Sequence, residues 1–318
     1  MNRYLSSVVL PGLLLAVALP LASCGGSGST QQGESEPGGH HMKGMDDGRM
    51  PGMDHGSEGM RGMSMEPVDP QTAGVRVELT SEPAAPLPGQ PVTLRYRVTD
   101  PQSGEPLTDL PIDHEQPMHL IAVSKDLEQF QHVHPEVGTD DETYGVKTEF
   151  PEAGTYVLYD EFVRNGQSVL DRRELPVGEA SDAKASLAPD LAPKVVDGGV
   201  SVALLAPQAI RAGEEASFTF ILDRGERSVN DLEPYLGAAA HVAVVSEDTE
   251  DFAHVHGKAE QGRGEGHEDM GSMDSPPATF GPEVGFHYTF PGAGLYKVWG
   301  QFSRGGRVIT VPFVVEVQ

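Results

Sequence analysis

Residues 119–134 decide the fold, because their pattern returns without a gap at residues 241–256. The first copy reads His119-Leu-Ile-Ala-Val-Ser-Lys-Asp-Leu-Glu-Gln-Phe-Gln-His132-Val-His134, and the second reads His241-Val-Ala-Val-Val-Ser-Glu-Asp-Thr-Glu-Asp-Phe-Ala-His254-Val-His256. In each copy an apolar run precedes turn-forming residues and a second short run. This order predicts a β-hairpin.

The repeat extends beyond the hairpin and predicts a tandem duplication of one domain. Phe150-Pro-Glu-Ala-Gly-Thr-Tyr156 corresponds to Phe290-Pro-Gly-Ala-Gly-Leu-Tyr296, and alternating segments at 92–98 and 216–222 precede the two hairpins. The distance from the hairpin to the later motif is longer in the second copy, which predicts an insertion at about 258–280. We therefore expect one domain at 71–178, an Ala/Pro/Ser/Asp-rich linker at 179–194, and a second domain at 195–318.

The composition favours strands over helices. The chain contains 38 Gly and 26 Pro, and short alternating segments are separated by turn residues. These features predict an all-β protein with two tandem immunoglobulin-like or cupredoxin-like β-sandwich domains. A formal net charge of -26 argues against nucleic acid as a partner, since phosphates require Lys and Arg.

The N-terminus has the features of an export signal. An apolar stretch leads to Leu21-Ala22-Ser23-Cys24, which resembles a lipobox. The resemblance implies a signal peptide at 1–23, a lipid on Cys24, and an extracytoplasmic protein anchored to a bacterial membrane, in the periplasm or at the cell surface. Residues 24–70 are rich in Gly, Ser, Glu, Met and His, and we expect them to form a disordered tether.

Three histidines of each hairpin are candidate metal ligands. Residues two apart in a strand share a face, so His132 and His134 lie together and the turn brings His119 opposite them. Three neutral imidazoles suit Cu(II) or Zn(II). The second copy supplies His241, His254 and His256. The alternative is that these histidines are solvated hairpin residues or hydrogen-bonded core residues.

The methionines are concentrated outside the expected strands. Three Met-x-Gly-Met units lie within residues 42–65, with His40 and His41 before them and His55 among them, and two more methionines accompany His267 in the insertion. Thioethers are soft ligands that select Cu(I), so we expect these segments to bind Cu(I), with sulfoxide scavenging as the alternative. The further candidate ligands are His40, His41, Met42, Met45, Met50, Met53, His55, Met60, Met63, Met65, His114, Met118, His267, Met270 and Met273.

Two of these further candidates adjoin the first hairpin and have no counterpart in the second. His114 and Met118 correspond to Leu236 and Ala240. In a regular strand Met118 would point to the face opposite His119. The two sites are therefore not expected to be equal.

Two resemblances bear on function. The Met/His-rich leader resembles segments of bacterial periplasmic copper-resistance and copper-transport proteins. The repeated His-Leu-Ile-Ala-Val-Ser hairpin, with its later Phe-x-His-x-His, is similar to YtkA-like domains and, in general character, to CopC-type copper carriers. Those carriers use a free N-terminal histidine as a ligand, whereas a lipidated Cys24 would occupy that position here, so the internal histidines must serve.

We therefore expect an extracytoplasmic copper-binding lipoprotein for copper tolerance, storage or delivery, and not an enzyme. The expected metal is Cu(I), Cu(II) or both, with zinc as the alternative. Its expected partners are copper ions, a copper exporter, an oxidase or another cuproenzyme, and the membrane through the lipid anchor. The competing interpretations are a zinc- or nickel-binding surface protein, a metal-dependent enzyme with an open three-histidine site, and a structural adhesive module.

Overall fold

The computed structural model describes residues 66–179, 184–260 and 278–318, and within them the protein is all-β. The strands of the first repeat are β1 (Arg76–Glu82), β2 (Pro91–Thr99), β3 (His119–Ser124), β4 (Phe130–Val133), β5 (Glu136–Val137), β6 (Tyr144–Glu149), β7 (Gly154–Arg164) and β8 (Gln167–Val177). Those of the second are β9 (Lys194–Val196), β10 (Val200–Leu205), β11 (Glu215–Arg224), β12 (Arg227–Ser228), β13 (Ala240–Ser246), β14 (Phe252–Ala259), β15 (Glu283–Thr289), β16 (Gly294–Arg304) and β17 (Arg307–Val317). One 3-10 turn, Asp197–Gly199, precedes β10. Among the described residues, no helical segment has the length and the apolar character needed to span a membrane.

The first repeat is a sandwich of two four-stranded antiparallel sheets. One sheet has the order β1-β2-β6-β5 and the other β4-β3-β7-β8. Strand β2 alternates buried and less buried residues, which is the period-2 pattern of a strand with one face on a core. Val92, Leu94, Tyr96 and Val98 point into this core and meet Leu120, Leu158 and Val169 from the other sheet.

The second repeat has the same hairpins, but its sheets are continuous. Its strand order is β17-β16-β13-β14-β15-β11-β10-β9, with β14 pairing first with β13 and then with β15. The first repeat has Pro135 at the corresponding position, and there the strand divides into β4 and β5, because proline lacks the N–H that a ladder requires. The second has Gly257, where a Cβ atom would lie 2.7 Å from Val284 Cγ1 and 2.9 Å from Ala240 Cβ.

The two repeats pack against each other through the β3 and β13 sheets. All residues of β3 and of β13 are buried, although an outer strand face of an isolated sandwich would be solvated. Leu120 and Ala122 face the first core, whereas Ile121 and Val123 face the other repeat. The apolar interface between the repeats consists of Ile121, Val123, Leu127, Val157, Tyr159, Ala243, Val245, Phe252 and Trp299.

The contacts across this interface are reciprocal. The Phe130 ring stacks on Trp299 of the second repeat at 5.0 Å, and the Phe252 ring stacks on Tyr159 of the first at 4.2 Å. Tyr159 Oη donates to the Thr249 carbonyl of one hairpin turn at 2.6 Å. Phe130 and Phe252 occupy equivalent positions of the two repeats, as do Tyr159 and Trp299. Each repeat therefore makes the same aromatic contact with the other.

Two predicted boundaries differ from the structure. Val68 pairs with Val169, so the folded part begins inside the segment 24–70 that was assigned to the tether. In the predicted linker 179–194, the Leu187 N–H donates to Glu247 Oε1 at 2.8 Å, and Asp190 pairs with Val314. The linker therefore adds to the packing of the second repeat, because its backbone donors find partners there.

Candidate metal centre

The first hairpin brings three ring nitrogens together. Strands β3 and β4 pair in the register Ile121 with His132. His119 Nδ1 lies 3.1 Å from His132 Nε2, and His134 Nε2 lies 3.2 Å from the same atom. This convergence is the one predicted from the spacing of the histidines.

Hydrogen bonds on the opposite side of each ring determine the tautomers. His119 Nε2 lies 3.0 Å from the Asp113 carbonyl, which only accepts, so Nε2 carries the proton and Nδ1 has a lone pair. His132 Nδ1 lies 2.8 Å from Gln301 Oε1, while the Gln301 amide nitrogen donates to Thr310 Oγ1. His132 Nε2 therefore has a lone pair that faces His119 Nδ1.

The second repeat has the same arrangement with a charged partner. His241 Nε2 donates to the Tyr235 carbonyl at 2.9 Å, and His254 Nδ1 donates to Glu161 Oε2 at 3.0 Å. The other nitrogens of the two rings, His241 Nδ1 and His254 Nε2, are 2.8 Å apart. A proton or a metal ion between these two nitrogens would account for their close approach.

These distances suit a metal ion. Nitrogens bound to zinc at about 2.0–2.1 Å in a tetrahedral site lie about 3.3 Å from one another, close to the 3.1 and 3.2 Å of the first hairpin. The carbonyls of Asp113 and Tyr235 and the side chains of Gln301 and Glu161 have the role of outer partners, which fix the orientation of ligand rings in metalloproteins. His256 Nε2 is buried without a hydrogen-bond partner among the described residues.

Histidines of the two repeats meet in one cluster. Ring centroids of His132 and His254 are 4.9 Å apart, and those of His119 and His241 are 6.1 Å apart. His114, in the turn before β3, stacks on His256 of the second repeat at 3.4 Å. We call these seven residues the histidine cluster: His114, His119, His132, His134, His241, His254 and His256.

Burial keeps most of these rings neutral. His119 is 4% exposed and His241 1%. Burial, reinforced by the neighbouring His254 ring, lowers the pKa of His119 to about 3 and that of His134 to about 4. The pKa values of His132, His241 and His256 are lowered by the same two causes. Neutral imidazole is the form that binds metals, so protons compete weakly for this cluster near neutral pH.

Other candidate ligands differ in their placement. His114 lies in the cluster. Met118 is fully buried in the core of the first repeat, on the face opposite His119, so its assignment as an additional ligand was wrong. Cys24, the predicted lipidation site, lies outside the described residues. So do the candidate ligands of the leader and the insertion, which are His40, His41, Met42, Met45, Met50, Met53, His55, Met60, Met63, Met65, His267, Met270 and Met273.

Sequence reasoning missed the outer partners Glu161 and Gln301. Each lies two residues after an aromatic residue of the interface, Tyr159 or Trp299, and therefore on the same strand face. A polar residue two positions after an aromatic one, at matching places in the two repeats, was the available signal. The six histidines predicted from the repeat are all in the cluster, but the prediction treated them as two separate sites.

The fold and the cluster define an all-β protein of two packed sandwich domains with a histidine-rich centre at their interface. The chain belongs to the family of domains of unknown function designated DUF8832, whose model matches residues 70–177 and 194–318. No curated protein matches the chain.

Solved structures with similar architecture are remote. The Escherichia coli adhesin FdeC is 11% identical, with a TM-score of 0.23, over 76% of this chain and 64% of that one. A Salmonella alpha-2-macroglobulin mutant is 12% identical, with a TM-score of 0.25, over 77% of this chain and 15% of that one. The chain thus spans less than two thirds of either neighbour, and likenesses at these TM-scores carry no argument about function.

Proposed function

We propose that this protein is an extracytoplasmic copper-binding lipoprotein that holds copper in the histidine cluster. The observation that carries the proposal is the close approach of His241 Nδ1 and His254 Nε2, 2.8 Å apart in a buried site where a hydrogen bond on the other side of each ring fixes its orientation. A bound cation would take both nitrogens as ligands. The matching arrangement of His119 and His132 supports the same conclusion.

Copper is favoured over zinc and nickel by the residues of the whole chain. Imidazole alone suits copper, zinc and nickel. The Met-x-Gly-Met units between Met42 and Met63 add thioethers, which select Cu(I). Zinc is the second candidate, because the ligand separations in the first hairpin fit its tetrahedral geometry.

The proposed role is tolerance, storage or delivery. The His114 side chain is 30% exposed, so a copper exporter, an oxidase or another cuproenzyme would exchange copper there. Export and lipidation at Cys24 belong to the same proposal, and mass spectrometry of the protein from its native membrane tests them. We propose a carrier rather than an enzyme; metal-dependent turnover of a substrate by the purified protein would contradict this.

Copper titration of the full-length protein tests the function. Replacing His132, His134, His254 and His256 by Ala should remove the copper held by the cluster and leave that held by the leader. His287→Ala is the matched control, because this exposed histidine contacts Ser217 on a different part of the second repeat. Copper stoichiometry unchanged by the four substitutions would contradict the site, and a strong preference for zinc in both proteins would contradict the metal.

A further inference from the structure

The histidine cluster divides into sets that cross the boundary between the repeats. Three sets have ligand atoms within 4.8 Å of one another. One is His119, His132 and His134, entirely from the first repeat. The others are mixed: His114 with His241 and His256, and His132 with His241 and His254. Each set that contains histidines of the second repeat therefore also contains one histidine of the first, His114 or His132.

Two of the three sets share no residue, so two ions can be bound at once. The set His119, His132 and His134 can hold one ion while His114, His241 and His256 hold another. The third set takes His132 from the first of these and His241 from the second, and therefore lies between them.

Each repeat also orients a ligand of the other. Gln301 of the second repeat accepts from His132 of the first, and Glu161 of the first accepts from His254 of the second. Residues 161 and 301 occupy equivalent positions of β7 and β16. Ligand orientation at both positions thus depends on the packing of the two domains.

From this arrangement we infer that the histidine cluster is a single two-ion copper centre built jointly by both domains, with His114 as a ligand supplied across the interface. The inference rests on the proposed copper-binding function and specifies its site. Binding of one ion orders rings that lie next to the ligands of the other. Copper would then hold the two domains together.

His114→Leu is the most informative variant, because the second repeat has a leucine at the corresponding position. Its counterpart Leu236 occupies the same place in the turn, with φ 49° against 44° for His114. His114→Leu therefore fits the backbone and removes only the imidazole. His287→Leu is the matched control, since that side chain lies outside the cluster.

The experiment uses the full-length protein with the leader and insertion ligands replaced, Met by Leu and His by Asn, so that only the cluster binds copper. We expect two Cu(II) ions per chain, and an electron paramagnetic resonance signal weakened or broadened by coupling between them. His114→Leu should lower the stoichiometry to one ion and restore the full signal of an isolated ion, whereas His287→Leu should change neither.

The possible outcomes distinguish a failure of the two-ion centre from a failure of the proposed copper-binding function. Two ions with uncoupled signals of full intensity, or a single ion per chain, would overturn the two-ion centre and leave copper binding intact. Two coupled ions in His114→Leu would overturn the role of His114. A protein that takes up no copper at the cluster would overturn both the centre and the proposed function.

Discussion

Glu161 and Gln301 hold the same position in the two repeats, but only Glu161 has a charge. A carboxylate that accepts from a ligand histidine raises the basicity of that ring, and outer partners of this kind contribute about 10–100-fold to metal affinity. Glu161→Gln should therefore weaken copper binding at the His254 position by about that factor. Competition against a chelator of known affinity measures the change.

The reciprocal substitution is the control for this prediction. Gln301→Glu gives His132 the partner that His254 has, and it should tighten binding at the His132 position. Equal affinities in the wild type and both variants would show that the carboxylate has no influence on the ligand rings.

Asp160 is a second residue where the repeats differ. It is completely buried, and neither its carboxyl oxygens nor the Tyr96 hydroxyl makes a hydrogen bond of ordinary geometry in the described residues. Burial raises the pKa of Asp160 well above its usual value; the Tyr96 hydroxyl and the Arg173 guanidinium lower it, and Asp171 raises it. The second repeat has Gly300 at the corresponding position.

The raised pKa of Asp160 predicts a pH-dependent stability. Above about pH 4 the unfolded chain releases this proton while the folded chain keeps it, so the free energy of unfolding decreases as the pH rises toward the folded pKa. Asp160→Asn should remove this slope, which is at most about 1.4 kcal/mol per pH unit. Urea unfolding of both proteins from roughly pH 4 to 7 gives the difference; a difference that stays constant with pH would contradict the prediction.

At the scale of strands, Gly257 allows β14 to run between two sheets. Gly257→Ala places a methyl group against Val284 and Ala240 at 2.7 and 2.9 Å. Overpacking of this kind costs about 1–3 kcal/mol, which chemical denaturation would detect. Gly292→Ala is the matched control, because its nearest neighbour is the Tyr296 hydroxyl at 3.7 Å; equal stabilities of the two variants would contradict the assigned role.

The strands also show where sequence reasoning succeeded and where it did not. The repeat and the period-2 pattern predicted the hairpins and the meeting of His119, His132 and His134, because strand register is a local property. They did not predict the packing of the two sandwiches, although the unbroken apolar runs Leu120–Val123 and Val242–Val245 indicate burial on both faces. Contacts such as His114 with His256 depend on that packing, so no spacing along the chain could reveal them.

At the scale of the molecule, Trp299 is the only tryptophan of the chain and lies in the interface between the repeats. Val245→Asp would bury an unpaired charge in this interface, which costs several kcal/mol. The domains should separate, the Trp299 emission should shift to longer wavelength, and copper affinity should fall. Fluorescence spectra and copper titration of the same samples measure both effects.

The matched control for the interface is Val195→Asp, because Val195 is 75% exposed on β9. It adds the same charge without burying it, so emission and copper affinity should remain as in the wild type. An unchanged emission maximum in Val245→Asp would mean that the interface does not depend on this contact.

The reciprocal contacts across the interface have a consequence for chains with one repeat. Phe130 on Trp299 and Phe252 on Tyr159 are equivalent pairs exchanged between two similar surfaces, as in an isologous homodimer. A protein made of a single such module could complete the same centre only by self-association. In the duplicated chain the second module is already attached, so assembly of the centre does not depend on protein concentration.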